Sequence, residues 1–151
     1  MKKTIAQNFW SHVGPHSDPT KCWLWLATKR VNHGLAYGRF RICNEQGTRL
    51  VYAHRFAYEL LVGPIPEGLT IDHVKSRGCT STLCVNPNHM EPVTIKVNLL
   101  RGNGQAAINA RKTHCLRGHP YNEENTYRTP IGHRNCLACR RERSNGRSNK
   151  W

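Results

Sequence analysis

The spacing of cysteine and histidine constrains this chain more than any other feature. Cys79-x4-Cys84-x4-His89 places three metal-binding side chains in one loop, and Cys115-x3-His119 with Cys136-x2-Cys139 places four within residues 115–139. Cys and His at such intervals suit tetrahedral zinc, which is structural and closed when the protein supplies all four ligands. The second set is complete in itself, with His114 and His133 as flanking non-ligands. The first needs a fourth ligand from elsewhere. A disulfide framework is the rival use of cysteine, and seven is an awkward number for one. Met1 to Trp10 has two lysines but no apolar run of the secretory kind, and no stretch approaches membrane-spanning length. The expectation is an intracellular, cytoplasmic protein in a reducing compartment, where such clusters bind metal. With 151 residues of which 38% are hydrophobic, the interior is small and metal staples are a natural supplement.

Charge points to the partner. Lys and Arg number 23 against nine Asp and Glu, a formal charge of +14 that attracts polyanions. Residues 1–100 hold 12 basic and 6 acidic side chains, and residues 101–151 hold 11 and 3, so the C-terminal third is the more densely charged. Acidic lipid is the competing polyanion, but there is no long amphipathic basic helix to lie on a bilayer. Nucleic acid is therefore the expected partner, with no membrane. Arg140-Arg141-Glu142-Arg143 through Arg147 and Lys150 would track its phosphates.

Periodicity and breakers give a coarse order of elements. Thr4 to Val13 reads as a short helix, Cys22 to Leu26 as a buried strand, and Asn32-His33-Gly34 as a turn. Tyr37 to Ile42 and Arg49 to Tyr52 read as a hairpin around Asn44 to Gly47, followed by a helix over Ala53 to Leu61. Leu69 to Asp72 and Met90 to Val93 are short strands on either side of a long loop. Thr94 is the N-cap of a helix over Ile95 to Leu100, and Gly102 to Lys112 reads as a linker.

The strand–loop–strand–helix segment is where chemistry concentrates. It puts Asp72 and His73 at a strand end and Asn98 one turn inside the following helix. Phosphodiester cleavage needs a base for water, and imidazole titrates near neutrality. It also needs a hard divalent cation, which prefers oxygen donors such as a carboxylate and an amide. An arginine is expected near the scissile phosphate, and the hairpin offers Arg39, Arg41 and Arg49, each of which reads equally well as a DNA-backbone contact.

This ordered set resembles the HNH (ββα-metal) nuclease superfamily, and within it the His-Cys box homing endonucleases and phage HNH endonucleases. The resemblance runs from Cys22 to Arg101. It includes Cys22-Trp-Leu-Trp, Ala36-Tyr37-Gly38-Arg39-Phe40, Ala53-His54-Arg55, Gly63-Pro64-Ile65-Pro66-Glu67-Gly68-Leu69, Asp72-His73, Cys84-Val-Asn-Pro-Asn-His89 and the helix with Asn98. It implies that the partner is double-stranded DNA, that His73 is the general base and that Asn98 holds the catalytic Mg²⁺ or Mn²⁺. Asp72 joins Asn98 as a ligand by likeness to other HNH enzymes, since His-Cys box enzymes generally lack an acid there. Asn86, the middle letter of the motif, would brace the loop. The fourth ligand of the first zinc site would be Cys22, with Cys43 as competitor, and His89 would bind zinc rather than act in catalysis. Cys43 would then be left over as a small buried hydrophobe.

The reading is an α+β fold: a small ββα-metal nuclease with an N-terminal antiparallel sheet over residues 1–112, and a basic zinc-binding module over 113–151. Its expected activity is metal-dependent hydrolysis of DNA, leaving 5′-phosphate and 3′-hydroxyl ends, with two structural zinc ions. A double-strand cutter would favour a homodimer. Homing, phage genome processing and restriction are all compatible roles, and a phage or mobile-element origin follows by analogy. The rival readings are a catalytically silent zinc-dependent DNA-binding protein on the same scaffold and a zinc hydrolase with an open metal position.

Overall fold

The structure, a computed structural model, describes residues 3–32 and 34–148, with side chains as far as Asn145. His33 of the expected turn, the Arg147 side chain and Lys150 lie outside the described residues. The fold is α+β with antiparallel sheets, in two compact units, Met1–Asn98 and Leu99–Trp151.

The first unit is built around Phe9. Helix α1 (Ile5–Trp10) starts at a capping box, in which the Thr4 hydroxyl accepts from the Gln7 amide and the Gln7 side chain accepts from the Thr4 amide. The helix ends at Trp10, earlier than its apolar spacing to Val13 suggests. Strands β1 (Lys29–Asn32), β2 (Leu35–Asn44) and β3 (Gly47–Tyr52) form a three-stranded antiparallel sheet, with β2 in the centre. Helix α2 (Ala53–Leu61) follows β3 without a loop and buries Ala53, His54 and Ala57. The Phe9 ring lies 5.1 Å from Trp25, 5.1 Å from Phe40 and 4.8 Å from Phe56, so one aromatic side chain ties α1, β2 and α2 together.

Cys22 to Leu26 is not a strand. It makes only single bridges, Val13 to Trp25 and Leu24 to Cys84, and Leu24 and Leu26 are exposed. Its backbone is satisfied on one side by Leu26 N donating to His12 O at 2.9 Å, and on the other by Trp25 N donating to Leu83 O at 2.9 Å and Val85 N donating to Trp23 O at 2.8 Å. This pairing fastens the 83–85 loop beside Cys22.

Strands β4 (Leu69–His73) and β5 (Met90–Thr94) pair antiparallel, with Asp72 opposite Glu91 and His73 opposite Met90. Single 3₁₀ turns at Lys75–Arg77 and Pro87–His89 fold the connecting loop. Helix α3 (Ile95–Arg101) follows β5 directly, with the Thr94 hydroxyl accepting from Val97 N at 3.3 Å. The strand–strand–helix unit is thus contiguous in the chain apart from one long loop.

In the second unit, helix α4 (Gln105–Arg111) occupies the stretch read as a linker. The Gly102 and Gly104 punctuation obscures a run of good helix formers in which Ala107 is fully buried. Strands β6 (Thr126–Arg128) and β7 (Arg134–Cys136) form a short hairpin, and α5 (Leu137–Ser148) leaves directly from β7. Among the described residues no helix is long and apolar enough to cross a membrane.

Candidate active site

His73 ends β4, and its Nε2 lies 3.1 Å from the carbonyl oxygen of Cys84. A carbonyl only accepts, so this contact puts the ring proton on Nε2 and leaves the Nδ1 lone pair available. Behind His73 stands His54 from the first turn of α2, with ring centroids 5.0 Å apart in an edge-to-face arrangement. His54 is buried and its Nδ1 has no hydrogen-bond partner. Burial first, then the charges of His73 and Arg55, hold the His54 pKa down to about 3, so this ring is neutral at physiological pH.

Tyr37 and Tyr52 enclose His54 with ring centroids at 5.9 and 5.6 Å, and the Arg39 guanidinium sits 4.5 Å over the Tyr52 ring. The Tyr37 hydroxyl is pushed above its ordinary range by burial, then by Tyr52 and by the negative charge of Asp72. Asp72 and His73 therefore both act electrostatically on this one ring group, from adjacent positions at the end of β4. Asn98 lies in the second turn of α3 and is half-buried, whereas the other residues of that helix are exposed.

The three candidate arginines separate. Directly paired residues of antiparallel strands share a face. Arg39 pairs with Tyr52 and Arg41 with Leu50, whereas Arg49 pairs with Ile42 on the opposite face of the hairpin. Only Arg39 makes a ring contact with the Tyr52–His54–His73 series. Asn86 is fully buried; its side-chain amide donates to Pro19 O and Lys21 O, each at 2.8 Å, and its oxygen accepts from Asn88 N at 3.0 Å. These bonds brace the loop.

Two cysteine–histidine clusters, one in each unit, could hold metal ions. Cys22, Cys79, Cys84 and His89 bring their ligand atoms within 4.8 Å of one another. A tetrahedral zinc site with bonds of about 2.1–2.3 Å has ligand–ligand edges of roughly 3.4–3.8 Å. The observed separations of His89 Nδ1 from Cys22 Sγ and Cys84 Sγ are 3.6 and 3.7 Å, which fit that edge. The hydrogen bond from Cys84 holds the Cys79 thiol below its ordinary pKa, while the same pairing and burial push Cys84 up. Cys43, by contrast, is exposed on β2 with Thr48 donating to its sulfur, and is not the buried hydrophobe its leftover status suggested.

Cys115, His119, Cys136 and Cys139 form the second quartet, also within 4.8 Å. Cys115 Sγ is 3.6 Å from Cys139 Sγ, and His119 Nδ1 is 3.3 to 3.7 Å from the three sulfurs. The far nitrogen of His119 lies 3.3 Å from a Glu142 oxygen, and Arg117 holds the other Glu142 oxygen at 2.7 Å. A carboxylate behind a ligating imidazole fixes its tautomer and orientation, as in many zinc sites.

Sequence reasoning quoted His54, Tyr37 and Tyr52 without giving them a role. The apolar face of α2 carries one histidine among alanines and a phenylalanine, and that buried imidazole was the signal available. The Cys84 carbonyl had no signal, because a backbone acceptor is the same in every residue.

Residues 51–100, which span the end of β3 through most of α3, match the HNH endonuclease family. An uncharacterized gene 5.3 protein of Enterobacteria phage T3 is 30% identical over 95 residues, covering 62% of this chain and 88% of that protein. No solved structure matches.

Proposed function

Because the chain belongs to the HNH endonuclease family, we propose that it is a divalent-cation-dependent DNA endonuclease in which His73 takes the proton from the attacking water. The observation that carries this reading is the 3.1 Å contact from His73 Nε2 to the Cys84 carbonyl. It leaves Nδ1 free at the end of β4, oriented by the braced loop that carries Cys84, and a positioned base is what water activation requires.

Asp72 and Asn98 offer one carboxylate and one amide oxygen, hard donors that suit Mg²⁺ or Mn²⁺, and they would hold that ion. When bound, the ion supplies charge stabilisation to the phosphate and the departing 3′ oxygen. Arg39 is the arginine assigned to the scissile phosphate, since its guanidinium lies over Tyr52 at the edge of the ring group. Arg49 and Arg41 are assigned to the DNA backbone. Hydrolysis leaves 5′-phosphate and 3′-hydroxyl ends. Both cysteine–histidine quartets use four protein ligands, so zinc in them is structural and has no position for a reactive water.

The test is nicking of a supercoiled plasmid by zinc-loaded protein with and without added Mg²⁺. Nicking that needs Mg²⁺ while zinc content stays constant is the expected result. Nicking that persists with zinc as the only metal would point instead to a zinc hydrolase.

A further inference from the structure

Helix α5 carries two chemically distinct faces. At about 100° per residue, Cys139, Glu142 and Arg143 fall on one side. There Cys139 joins the metal quartet, Glu142 binds Arg117 and His119, and Arg143 Nε donates to Cys139 O at 3.2 Å. Leu137, Arg140, Arg141, Ser144 and Asn145 fall on the other side and line one shallow groove of about 440 Å³. The helix's one acid is thus consumed internally. Arg140, Arg141 and Asn145 are exposed, and their side chains make no hydrogen bond or ion pair among the described residues.

The base of this helix is rigid. Asn125 accepts from Ala138 N at 2.7 Å through its side chain and from Leu137 N at 3.0 Å through its carbonyl. Cys136 and Cys139, one turn apart, tie the first turn to the metal cluster. An ordered, cationic helix on such a footing is suited to entering a groove of fixed width.

We propose that α5 is a DNA recognition helix, lying in the major groove and reading base edges through Arg140, Arg141 and Asn145. This rests on the endonuclease reading for its choice of DNA as partner. The twelve residues of the helix extend about 18 Å, more than the roughly 12 Å width of the major groove. A helix that only tracks phosphates needs long cations. This face also presents Asn145, whose short amide meets a base edge only when the helix axis is deep in the groove. Arg pairs bidentately with guanine and Asn with adenine, and the half-buried Leu137 offers an apolar edge of the kind that meets a thymine methyl.

The experiment selects binding sites from a random duplex library with full-length, zinc-loaded protein, using Ca²⁺ in place of Mg²⁺. The variants are Arg140→Lys, Arg141→Lys and Asn145→Ala, each checked for unchanged zinc content. Wild type is expected to enrich a short motif. Each variant should lose preference at one position by about tenfold, although Arg→Lys keeps the charge and loses only the fork. No motif in wild type, or variants that weaken all sequences equally, would overturn the proposal. Plasmid nicking by the same proteins in Mg²⁺ reports separately on the endonuclease reading. Loss of motif with nicking retained supports a reading role for α5, and a wild type that selects a motif but never nicks condemns the nuclease assignment alone.

Discussion

The carbonyl oxygen of Cys84 accepts from Nε2 of His73 at 3.1 Å, while the sulfur of the same Cys84 lies 3.7 Å from His89 Nδ1 in the first metal cluster. One residue therefore joins the first cysteine–histidine cluster through its side chain and the candidate base through its backbone. The residue after His73 is tied in the same way, since Val74 N donates to His89 O at 2.8 Å. The geometry of the cluster and the orientation of the imidazole are mechanically joined.

Cys79→Ser removes a ligand of that cluster without touching the His73 bond. Zinc content should fall from two ions per chain to one. The nicking rate should drop by 10- to 100-fold, the usual scale for disturbing groups that orient a metal site or its neighbours. Metal analysis alongside initial rates checks this. A full rate at half the zinc would show that the loop holds His73 unaided.

The second cluster should respond to Glu142→Gln. The carboxylate behind His119 supports that ligand, and its loss is expected to weaken zinc binding there about 10- to 100-fold. Chelator competition on the zinc-loaded protein measures the change, and the first cluster should keep its affinity.

Much of this was legible in the sequence, and the parts that were not share a physical cause. Helix α2 was read correctly from Ala53 to Leu61, because its apolar positions repeat at helical spacing and Gly63-Pro64 stops it. The β4–β5–α3 unit, the second ligand quartet and three ligands of the first were also readable, since fixed spacing is the requirement of the motif itself, whereas Cys22 followed only from the family resemblance. Cys22 to Leu26 misled because a short apolar run resembles a strand, whereas its partners are two separated loops. Strand β1 (Lys29–Asn32) is exposed throughout and shows no apolar alternation. The contacts of His73 with His54 and with the Cys84 carbonyl are tertiary, and local pattern does not encode them.

His54 makes stability sensitive to acid. Its pKa is held near 3 in the fold against an ordinary 6.5, so the unfolded chain binds its proton first. The stability owed to the neutral ring is complete above about pH 6.5 and declines as pH falls toward 3. His54→Phe should remove this dependence. Urea unfolding from pH 7 to 5 should show wild type losing stability more steeply than the variant, by up to about 1.4 kcal/mol per pH unit. Parallel slopes would mean that the ring is not held neutral.

Gly38 lies where β2 crosses Trp25. A methyl group there would fall 2.6 Å from Trp25 Cδ1 and 3.0 Å from the Ala53 Cβ. Trp25 is buried against Phe9 and Phe40 and has little room to shift. Gly38→Ala should therefore destabilise the first unit by about 1–3 kcal/mol, read as a lower thermal midpoint with zinc content unchanged.

The most direct measurement is plasmid nicking in Mg²⁺ by wild type and His73→Ala, with zinc content matched between them. Removing a positioned general base should slow the reaction by about 10² to 10⁴-fold while DNA binding is retained. Equal rates for the two proteins would contradict the assignment of His73 as the residue that activates water.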